Sequence, residues 1–364
     1  MSDFTVPKQA KAIIYSQPGT TETKIVDVEV PEPQDGEILV RITHSGVCHT
    51  DYSLATQRLG HVRLPEGQIG GHEGVGIVVK LGPGVTARKL GERIGIKWIA
   101  SSCLTCDMCL YGYESKCALR KVSGLGHPGT FQQYLVTHAQ YATPIPPGVD
   151  SAKAAPLLCG GITVYVALQR ADLSPGNWVA VSGGGGGLGS LAIQYAKTMG
   201  LHVLAIDHTS KADFCRSIGA DAFLDFTKFG GDDGDKALVD DVKRITDGGA
   251  HAILVCNSSA KSYDQSLDMV RYGGTVVCVG LPESSSAPIS CATPSNMIMN
   301  RLTIKGTMIG NRKDAVECLQ PLARGQIDPQ VTVRPMSHLS QVRNFAIMLA
   351  LNCISYKPLL VTLW

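Results

Sequence analysis

Four cysteines stand close together in the sequence, at a spacing that suits a metal ion. Cys103, Cys106, Cys109 and Cys117 form the pattern C-x2-C-x2-C-x7-C. Four thiolates held so locally complete the tetrahedral coordination of Zn²⁺, which gives a closed site with a structural role. The alternatives are a loop of reduced thiols and an iron–sulfur cluster, but the common bacterial cluster motif has x3 and a following proline where this chain has x7 and Ala118. The spacing therefore favours structural zinc.

A second set of candidate ligands is spread over the first half of the chain. Cys48, His72 and Cys159 offer three donors, the number that a catalytic zinc uses when its fourth position is kept for water or substrate. Taken pairwise, they could be the buried cysteines and single histidine of any folded protein. Their neighbours strengthen the prediction, because Asp51 lies near Cys48 and Glu73 follows His72. Such carboxylates orient metal ligands.

A run of glycines provides a third candidate site. Gly184, Gly186 and Gly189 satisfy G-x-G-x-x-G between a strand-like segment and a helical pattern, with Gly187 and Leu188 in the intervening positions. In a dinucleotide-binding turn the first two glycines let the pyrophosphate approach, and the third lets the helix pack closely on the strand. The free N–H groups at the start of the helix attract the anion.

An acidic residue stands where such a turn needs one. Asp207 ends the apolar segment His202–Asp207, about twenty positions beyond the glycines. A carboxylate there accepts hydrogen bonds from the ribose hydroxyls and repels a 2′-phosphate, so the sequence predicts NAD rather than NADP. The alternative is a flexible glycine linker followed by an ordinary aspartate, which the order of strand, helix and acid makes the weaker interpretation.

Two kinds of sequence pattern must position these residues, and the change falls near residue 157. Before it, short strand-like runs are broken by glycine and proline, which predicts an irregular, mostly antiparallel β domain resembling a partly open barrel. After it, apolar strands alternate with helical segments such as Leu188–Met199, whose apolar residues recur at steps of three and four. This alternation predicts a parallel sheet with helices on both faces.

Length, charge and termini exclude several classes of protein. The 364 residues exceed one usual core, so two domains are expected. The 33 Lys and Arg against 31 Asp and Glu leave a net charge of +2 without runs of like charge, which disfavours a nucleic-acid or membrane partner and favours a small neutral substrate. No signal peptide or membrane-spanning apolar run is recognisable. We therefore expect a cytoplasmic protein whose twelve cysteines include metal ligands rather than a disulfide framework.

The motifs, taken in their order along the chain, carry a family resemblance. Gly71-His72-Glu73-Gly74, the four-cysteine segment, Leu158-Cys159-Gly-Gly-Ile-Thr-Val-Tyr and the glycine-rich turn follow one another. The chain thereby resembles the zinc-dependent medium-chain alcohol dehydrogenases, in particular their yeast and fungal branch, from about residue 10 to about residue 335. The resemblance implies a GroES-like irregular β-barrel catalytic domain of residues 1–156 and 310–364, with a zinc lobe at about 98–120. It also implies a doubly wound Rossmann domain of residues 157–309.

The resemblance further implies roles at the catalytic zinc. The ligands would be Cys48, His72 and Cys159. Glu73 would lie beneath the metal, and Asp51 would orient His72. Thr50 would bond the substrate oxygen and pass its proton outward. Trp98 would form a wall of the substrate pocket, although a core aromatic is an equally good interpretation of that residue.

The cofactor-binding residues are implied in the same way. They would be His49, Thr163, Gly184, Gly186, Gly187, Leu188, Gly189, Asp207, Lys211 and Val279. His49 would contact the pyrophosphate, Thr163 would lie beside the nicotinamide, and Lys211 would join Asp207 at the ribose. The implied cofactors are two zinc ions per subunit and NAD(H), and the implied assembly is a homodimer or homotetramer.

The predicted function is hydride transfer between NAD(H) and a primary or secondary alcohol, aldehyde or ketone. Two alternatives stay open at this point. The first is a non-redox isomerase or dehydratase that retains the zinc and nucleotide sites, and the second is a non-catalytic nucleotide-binding protein. Both metal sites and Thr50 argue against the second alternative.

Three departures from the family pattern lead to predictions of their own. Ser53 stands where the fungal branch has a histidine that ends the proton relay, and a serine cannot accept a proton near neutral pH. Alcohol oxidation should then have an upward-displaced pH optimum, or the site should serve mainly reduction. The loop Leu54–Ile69 lacks tryptophans that narrow the pocket of ethanol-specific relatives, which favours a larger substrate. Residues 344–364 lack the closing glycine–arginine pair, so either Lys357 supplies a point charge to the cofactor phosphate or the apolar end forms a subunit contact.

Overall fold

The computed structural model describes residues 4–60, 62–230, 234–282 and 288–340, and the backbone of residues 359–363. The first part contains the strands β1 (Gln9–Tyr15), β2 (Thr23–Glu29), β3 (Glu37–Gly46), β4 (Gly74–Leu81), β5 (Arg93–Ile96), β6 (Ile99–Ser101), β7 (Lys121–Ser123), β8 (Gly126–His127), β9 (Tyr134–His138) and β10 (Thr143–Pro144), and the helices α1 (His49–Ala55), α2 (Asp107–Leu110) and α3 (Ser151–Ala154). Short 3₁₀ turns cover Glu114–Lys116 and Ala155–Leu158.

The second part alternates helices and strands before it returns to the first sheet. Its helices are α4 (Gly160–Arg170), α5 (Gly187–Thr198), α6 (Ala212–Ser217), α7 (Gly234–Ile245), α8 (Ala260–Met269), α9 (Pro294–Met299), α10 (Arg312–Glu317) and α11 (Gln320–Ala323). Its strands are β11 (Trp178–Ser182), β12 (His202–Asp207), β13 (Ala222–Asp225), β14 (Ala250–Val255), β15 (Val270–Cys278), β16 (Thr303–Gly306), β17 (Val331–Pro335) and β18 (Leu359–Leu363). Further 3₁₀ turns cover Thr209–Lys211, Phe226–Lys228 and Met336–Ser340.

The β-rich part is built around strand β3. This strand pairs antiparallel with β4, β9 and β18, and the sheet continues from β4 through β5 to β10 and from β18 to β17. Buried aliphatic residues of β3, β4 and β5, among them Val40, Val78 and Ile94, form its core. Because β18 pairs with β3, the last described segment of the chain returns to the sheet built around β3.

The second part is a six-stranded parallel sheet in the order β13-β12-β11-β14-β15-β16. Its central strands are buried on both faces, as the apolar runs predicted, with Val179, Ala180 and Val181 fully closed to solvent. The strand order reverses between β11 and β14. A crevice for a ligand opens at such a reversal, outside the carboxyl ends of the strands. The predicted α/β fold class, with an irregular β part and a doubly wound sheet, is confirmed.

Helix α5 illustrates why the sequence pattern predicted this part well. The predicted helix Leu188–Met199 is observed as Gly187–Thr198. Leu191, Tyr195 and Ala196 are fully buried, so the apolar stripe packs on the sheet. Gly200 then takes a positive φ of 73°, a conformation that suits glycine and ends the helix.

Two features of the β part differ from the sequence prediction. Strand β2 was not predicted from the sequence because Lys24, Asp27 and Glu29 interrupt its apolar residues. In the described structure it forms a two-stranded sheet with β1. The strand-like run Arg93–Trp98 of the sequence forms a strand only as far as Ile96, and a separate strand, β6, begins at Ile99. Within the described residues no single helix has the length and apolarity to cross a membrane, whereas the bent pair Ser151–Leu158 and Gly160–Arg170 meets those two criteria jointly.

Candidate active site and metal centres

The three widely separated ligand candidates meet at the junction of the two sheets. Cys48 caps the start of α1, His72 precedes β4, and Cys159 stands between a 3₁₀ turn and α4. Together with Glu73, their ligand atoms all lie within 4.8 Å of one another. The fold therefore brings together four donors that sequence spacing alone could not connect.

His72 is held in one orientation by a buried carboxylate. Its Nδ1 lies 3.0 Å from Oδ1 of Asp51, and the two side chains are 0% and 1% exposed. Asp51 Oδ1 also accepts a hydrogen bond from the Gly71 N–H, and Oδ2 accepts one from the Cys48 N–H. The carboxylate thus favours the proton on Nδ1 and leaves Nε2 as the candidate ligand atom. That Nε2 is buried and has no hydrogen-bond partner among the described residues, which is the arrangement a metal requires.

The pKa values of the two thiols of this cluster are shifted in opposite directions. A hydrogen bond with Cys159 lowers the pKa of Cys48 well below its usual range. The same hydrogen bond, together with burial, raises the pKa of Cys159. Burial, followed by the charge of Cys48, also raises the pKa of Glu73. Such a crowded set of buried acids fits a divalent cation, which would replace their protons.

The residues expected around the substrate surround the cluster. Trp98 packs edge-on against His72, with ring centroids 5.0 Å apart, and it also packs against three buried hydrophobic clusters. Thr50 is in the first turn of α1, and its N–H lies 3.5 Å from Cys48 Sγ. Ser53 follows one turn later and is 6% exposed. His49 opens α1 on the exposed side, with its ring 5.5 Å from that of Tyr52.

The four-cysteine segment forms a separate cluster, which we call the cysteine lobe (residues 98–120). The Sγ atoms of Cys103, Cys106, Cys109 and Cys117 lie within 4.8 Å of one another. Backbone N–H groups of Thr105 and Cys106 lower the pKa of Cys103 to about 6, which favours a thiolate. Four thiols in this arrangement fit a closed tetrahedral zinc site. No disulfide is formed among the described cysteines.

The glycine run turns between β11 and α5 at the crevice. Gly183, which directly precedes the predicted motif, has a φ of +80°. The turn therefore needs a glycine at this position, because other residues rarely adopt this left-handed conformation. A Cβ on Gly189 would lie 2.1 Å from the Gly183 carbonyl oxygen, which explains why the third motif position must be glycine. Gly186 is the N-cap of α5 and supplies no side-chain cap, so the first N–H groups of the helix, near Gly187 and Leu188, are available to an anion.

Asp207 is tied directly to this turn. Its Oδ2 accepts a hydrogen bond of 2.8 Å from the Gly185 N–H, and its Oδ1 accepts one of 2.7 Å from the His208 N–H. Lys211 is 2% exposed and packs along the turn, where a Cβ on Gly185 would lie 2.6 Å from the Lys211 Cβ. Gly183 and Gly185 were missed by the motif, although the unbroken run of five glycines was the signal that could have found them.

The remaining cofactor candidates approach the crevice from other elements. Thr163 lies in the first turn of α4, where its hydroxyl donates to the Cys159 carbonyl at 2.8 Å. Val279 directly follows β15, at the carboxyl end of the parallel sheet. Lys357 lies outside the described residues. Gly184 packs against β12, where a Cβ would lie 2.9 Å from the Cβ of Ala205.

Comparison with known proteins identifies the family. The alcohol dehydrogenase GroES-like domain matches residues 34–147, and the zinc-binding dehydrogenase domain matches residues 187–324. Alcohol dehydrogenase 2 of Emericella nidulans is 47% identical over 344 residues, which cover 93% of this chain and 94% of that protein. The chain belongs to the zinc-dependent alcohol dehydrogenases. The alcohol dehydrogenase of Schizosaccharomyces pombe is 42% identical over 344 residues, covering 93% and 95% of the two chains.

A solved structure agrees with this family assignment. The acetophenone reductase of Geotrichum candidum in complex with NAD is 26% identical, superposes with a TM-score of 0.82, and covers 99% of each chain. The predicted medium-chain dehydrogenase family, with its GroES-like and Rossmann folds, is thus confirmed. The predicted cofactors, zinc and NAD(H), are supported by the family domains and by the two ligand clusters of this dehydrogenase.

Proposed function

We propose that this dehydrogenase interconverts a primary or secondary alcohol and the corresponding aldehyde or ketone with NAD(H). The observation that carries the proposal is the buried Nε2 of His72, which has no hydrogen-bond partner among the described residues and faces two thiols. A closed structural zinc site is completed by four Cys or His side chains, whereas this cluster offers three of them and the carboxylate of Glu73. The assignment of Cys48, His72 and Cys159 as catalytic-zinc ligands, and of the cysteine lobe as the structural site, is part of the proposal.

The proposed mechanism divides the chemistry between cofactors and protein. Zinc supplies Lewis acidity that lowers the pKa of an alcohol or polarises a carbonyl, and NAD(H) accepts or gives the hydride. Thr50 accepts or donates the proton at the substrate oxygen and relays it toward Ser53, one helical turn away. Asp51 keeps His72 in the ligating orientation. Trp98, packed against His72, limits the pocket on one side and excludes water.

The cofactor would bind across the crevice between the two parts of the chain. The N–H groups at the start of α5 would hold the pyrophosphate, with His49 contributing from the catalytic side. Asp207 and Lys211 would meet the adenosine ribose, and Thr163 and Val279 would border the nicotinamide. The carboxylate at Asp207 supports NAD over NADP.

The proposed substrate is larger than ethanol. The loop Leu54–Ile69 carries no tryptophan, so Trp98 is the large aromatic that the described structure sets beside the ligands. A panel of aldehydes from acetaldehyde to aryl and branched aldehydes tests this, with NADH oxidation followed by absorbance. We expect a higher kcat/KM for the bulky members. Far more efficient turnover of acetaldehyde and ethanol would contradict the proposal.

The same assay separates the alternatives. A non-redox isomerase or dehydratase would consume substrate without a change in NADH absorbance, and a non-catalytic protein would bind NADH without any turnover. Elemental analysis of wild type beside Cys159→Ser identifies the catalytic metal, because the variant should keep only the cysteine-lobe equivalent. Cys215→Ser, which alters a buried cysteine outside both clusters, serves as the control and should keep both equivalents.

A second copy of the chain is the proposed partner at the free edge of the parallel sheet. Strand β16 ends that sheet, and the neighbouring Ile298, Met299 and Met308 are 76%, 72% and 46% exposed. An open strand edge beside exposed apolar side chains favours pairing with an identical edge. Light scattering should give a dimer or tetramer, and Met299→Glu should lower the assembly state while Leu90→Glu, elsewhere on the surface, should not. A cytoplasmic location stays a prediction.

A further inference from the structure

The helix α10 joins the cysteine lobe to the dinucleotide-binding helix. At its start, the Asn311 amide lies 3.4 Å from the Gly112 carbonyl oxygen of the lobe, and Arg312 contacts the lobe residue Glu114. At its end, the carbonyl oxygen of Cys318 accepts a 2.6 Å hydrogen bond from the hydroxyl of Tyr195. Tyr195 is fully buried on α5, the helix that begins at the glycine turn. One short helix therefore contacts both the cysteine lobe and the helix that begins at the glycine turn.

The contact at the start of α10 joins the buried carboxylate of Glu114 to the partly exposed guanidinium of Arg312. Arg312 Nε donates to Glu114 Oε1 at 2.8 Å, and the Arg312 backbone N–H lies 3.3 Å from Glu114 Oε2. The Glu114 side chain is 5% exposed, and Arg312 compensates its charge together with the nearby Lys97. Loss of Arg312 would leave the buried carboxylate without this partner, which costs more free energy than the loss of a fully exposed ion pair.

Aromatic and polar contacts extend the pair to the lobe thiols. The Arg312 guanidinium lies 5.4 Å from the ring centroid of Tyr141. The Tyr141 hydroxyl is hydrogen-bonded to Ser102, and Ser102 Oγ lies 3.1 Å from Cys109 Sγ. Cys109 is one of the four candidate ligands, so the position of Arg312 is connected to the ligand set by two routes, through Glu114 and through Tyr141.

The body of α10 packs too closely to move alone. A Cβ on Gly310, just before the helix, would lie 2.6 Å from Cγ2 of Ile162 on α4. At the start of α4, a Cβ on Gly160 would lie 3.4 Å from Leu191 of α5. Ile162, Leu191 and Ala315 belong to one buried core. Close-packed interiors transmit displacements, so a shift of α10 displaces α4 and α5 as well.

We propose that α10 couples metal binding in the cysteine lobe to dinucleotide binding, with Glu114 and Arg312 as the positioning contact. The inference rests on the proposed function, because it takes NAD(H) and lobe zinc as the two ligands. Coupling between two binding sites is reciprocal. Bound NADH should therefore tighten lobe zinc by the same factor by which lobe zinc tightens NADH, and we expect slower zinc release as the kinetic sign of that tightening.

The test measures both directions in the purified holoenzyme. Zinc release to a chromogenic chelator is followed with and without saturating NADH. Two kinetic phases are expected in wild type, and the phase that is absent in Cys159→Ser belongs to the catalytic metal. We expect NADH to slow release of the lobe metal about fivefold or more in wild type. Glu114→Gln should remove most of this NADH dependence and weaken NADH binding, measured by fluorescence titration. Lys313→Gln, which breaks the exposed ion pair to Glu317 on the same helix, should leave both unchanged.

For each variant the measured quantity is the ratio of the lobe-zinc release rate without NADH to the rate with NADH. A general loss of stability therefore does not produce the same result. Arg312→Gln provides the second variant if Glu114→Gln fails to fold, because the Arg312 side chain is 40% exposed and easier to replace. Equal release rates with and without NADH in a wild type that binds NADH would overturn the coupling alone. A wild type that binds no NADH would overturn the proposed function and the coupling together. An NADH dependence retained in both variants would show that Glu114 and Arg312 are not the positioning contact.

Discussion

His72 and Asp51 form the buried pair on which the candidate catalytic centre is built, with His72 Nδ1 3.0 Å from Asp51 Oδ1. The same carboxylate accepts from the backbone N–H groups of Cys48 and Gly71, so it also fixes the two loops that carry the ligands. One side chain thereby sets the tautomer of His72 and the distance between the two ligand-bearing segments. Partners of metal ligands commonly contribute tenfold to a hundredfold to affinity or activity.

Asp51→Asn should therefore weaken the catalytic metal while leaving the lobe metal in place. The amide retains the shape of the side chain but loses the charge that favours the Nδ1 proton. We expect about tenfold to a hundredfold weaker retention of one zinc equivalent against a chelator, measured by elemental analysis after dialysis. Asp225→Asn, at a buried capping carboxylate outside both ligand clusters, is the control. Equal retention of both metals in Asp51→Asn and wild type would contradict this role.

The parts of the molecule that were predicted from the sequence are those encoded locally. The cysteine lobe and the glycine turn each lie within a short stretch, so spacing alone fixes which residues meet. The parallel sheet was predicted from apolar runs such as Val179–Val181, because strands that are buried on both faces consist almost entirely of apolar residues. The set Cys48, His72 and Cys159 was proposed from residue types and acidic neighbours and was then supported by the family resemblance, since no local pattern joins residues so far apart.

The features that the sequence did not predict depend on contacts between distant residues. Tyr195 and Cys318 lie 123 positions apart, and neither segment contains a sequence pattern that predicts their hydrogen bond. Gly46 is an unremarkable strand residue until the fold sets Glu73 against it. Lys97 follows an apolar strand and looks solvent-exposed by type, yet it is 2% exposed. Such packing depends on the tertiary structure, and the periodicity of apolar residues along the sequence does not predict it.

Gly46→Ala should disturb the site through Glu73. A Cβ at this position would lie 1.9 Å from Glu73 Oε2 and 2.9 Å from Glu73 Cβ, so the glutamate must move. Overpacking in a buried site costs about 1–3 kcal/mol, and we expect a loss of that order in the free energy of unfolding, with reduced catalytic zinc. Urea denaturation and elemental analysis measure the two effects. Gly230→Ala, where the added Cβ meets nothing within 4 Å, should change neither, and an unaffected Gly46→Ala would refute the steric argument.

Ser53 should limit alcohol oxidation at neutral pH. A serine hydroxyl relays a proton but cannot hold it near pH 7, whereas a histidine can. Ser53→Ala should slow oxidation further, and Ser53→His should raise kcat at pH 7 several-fold and move the apparent pKa of the rate profile toward about 6.5. Stopped-flow measurement of the profiles tests this, with Ser266→Ala in α8 as a buried control. A wild-type pKa near that of histidine, unchanged in Ser53→Ala, would disprove the relay.

Lys97 should make the stability of the fold depend on pH. Burial lowers the pKa of this lysine to about 7, and its ammonium group lies 2.5 Å from the Tyr141 carbonyl oxygen. Between this value and 10.5 the unfolded chain holds a proton that the folded chain lacks, so the contribution of Lys97 to stability rises with pH. The slope for one proton is about 1.4 kcal/mol per pH unit.

Lys97→Met removes that slope. The free energy of unfolding of the variant, relative to that of wild type, should therefore be higher at pH 7 than at pH 9.5. Urea denaturation at several pH values from 7 to 9.5 gives the difference between wild type and variant, in which the titration of other groups cancels. Lys89→Met, at an exposed lysine of the same part of the chain, should follow the wild-type slope. Parallel curves for Lys97→Met and wild type would mean that the buried amine does not titrate in this range.

Asp207→Asn should relax the preference for NAD over NADP while keeping the glycine turn intact. The amide oxygen can still accept from the Gly185 N–H, whose present bond to the carboxylate is 2.8 Å long, but the charge that repels a 2′-phosphate is gone. We expect the ratio of kcat/KM for NAD to that for NADP to fall by at least about tenfold, equal to 1.4 kcal/mol. Asp213→Asn, at an exposed carboxylate on α6, controls for a general change of charge near the crevice. Since Lys211 remains beside the turn to meet the added phosphate, an unchanged ratio would show that discrimination depends on some feature other than the Asp207 charge.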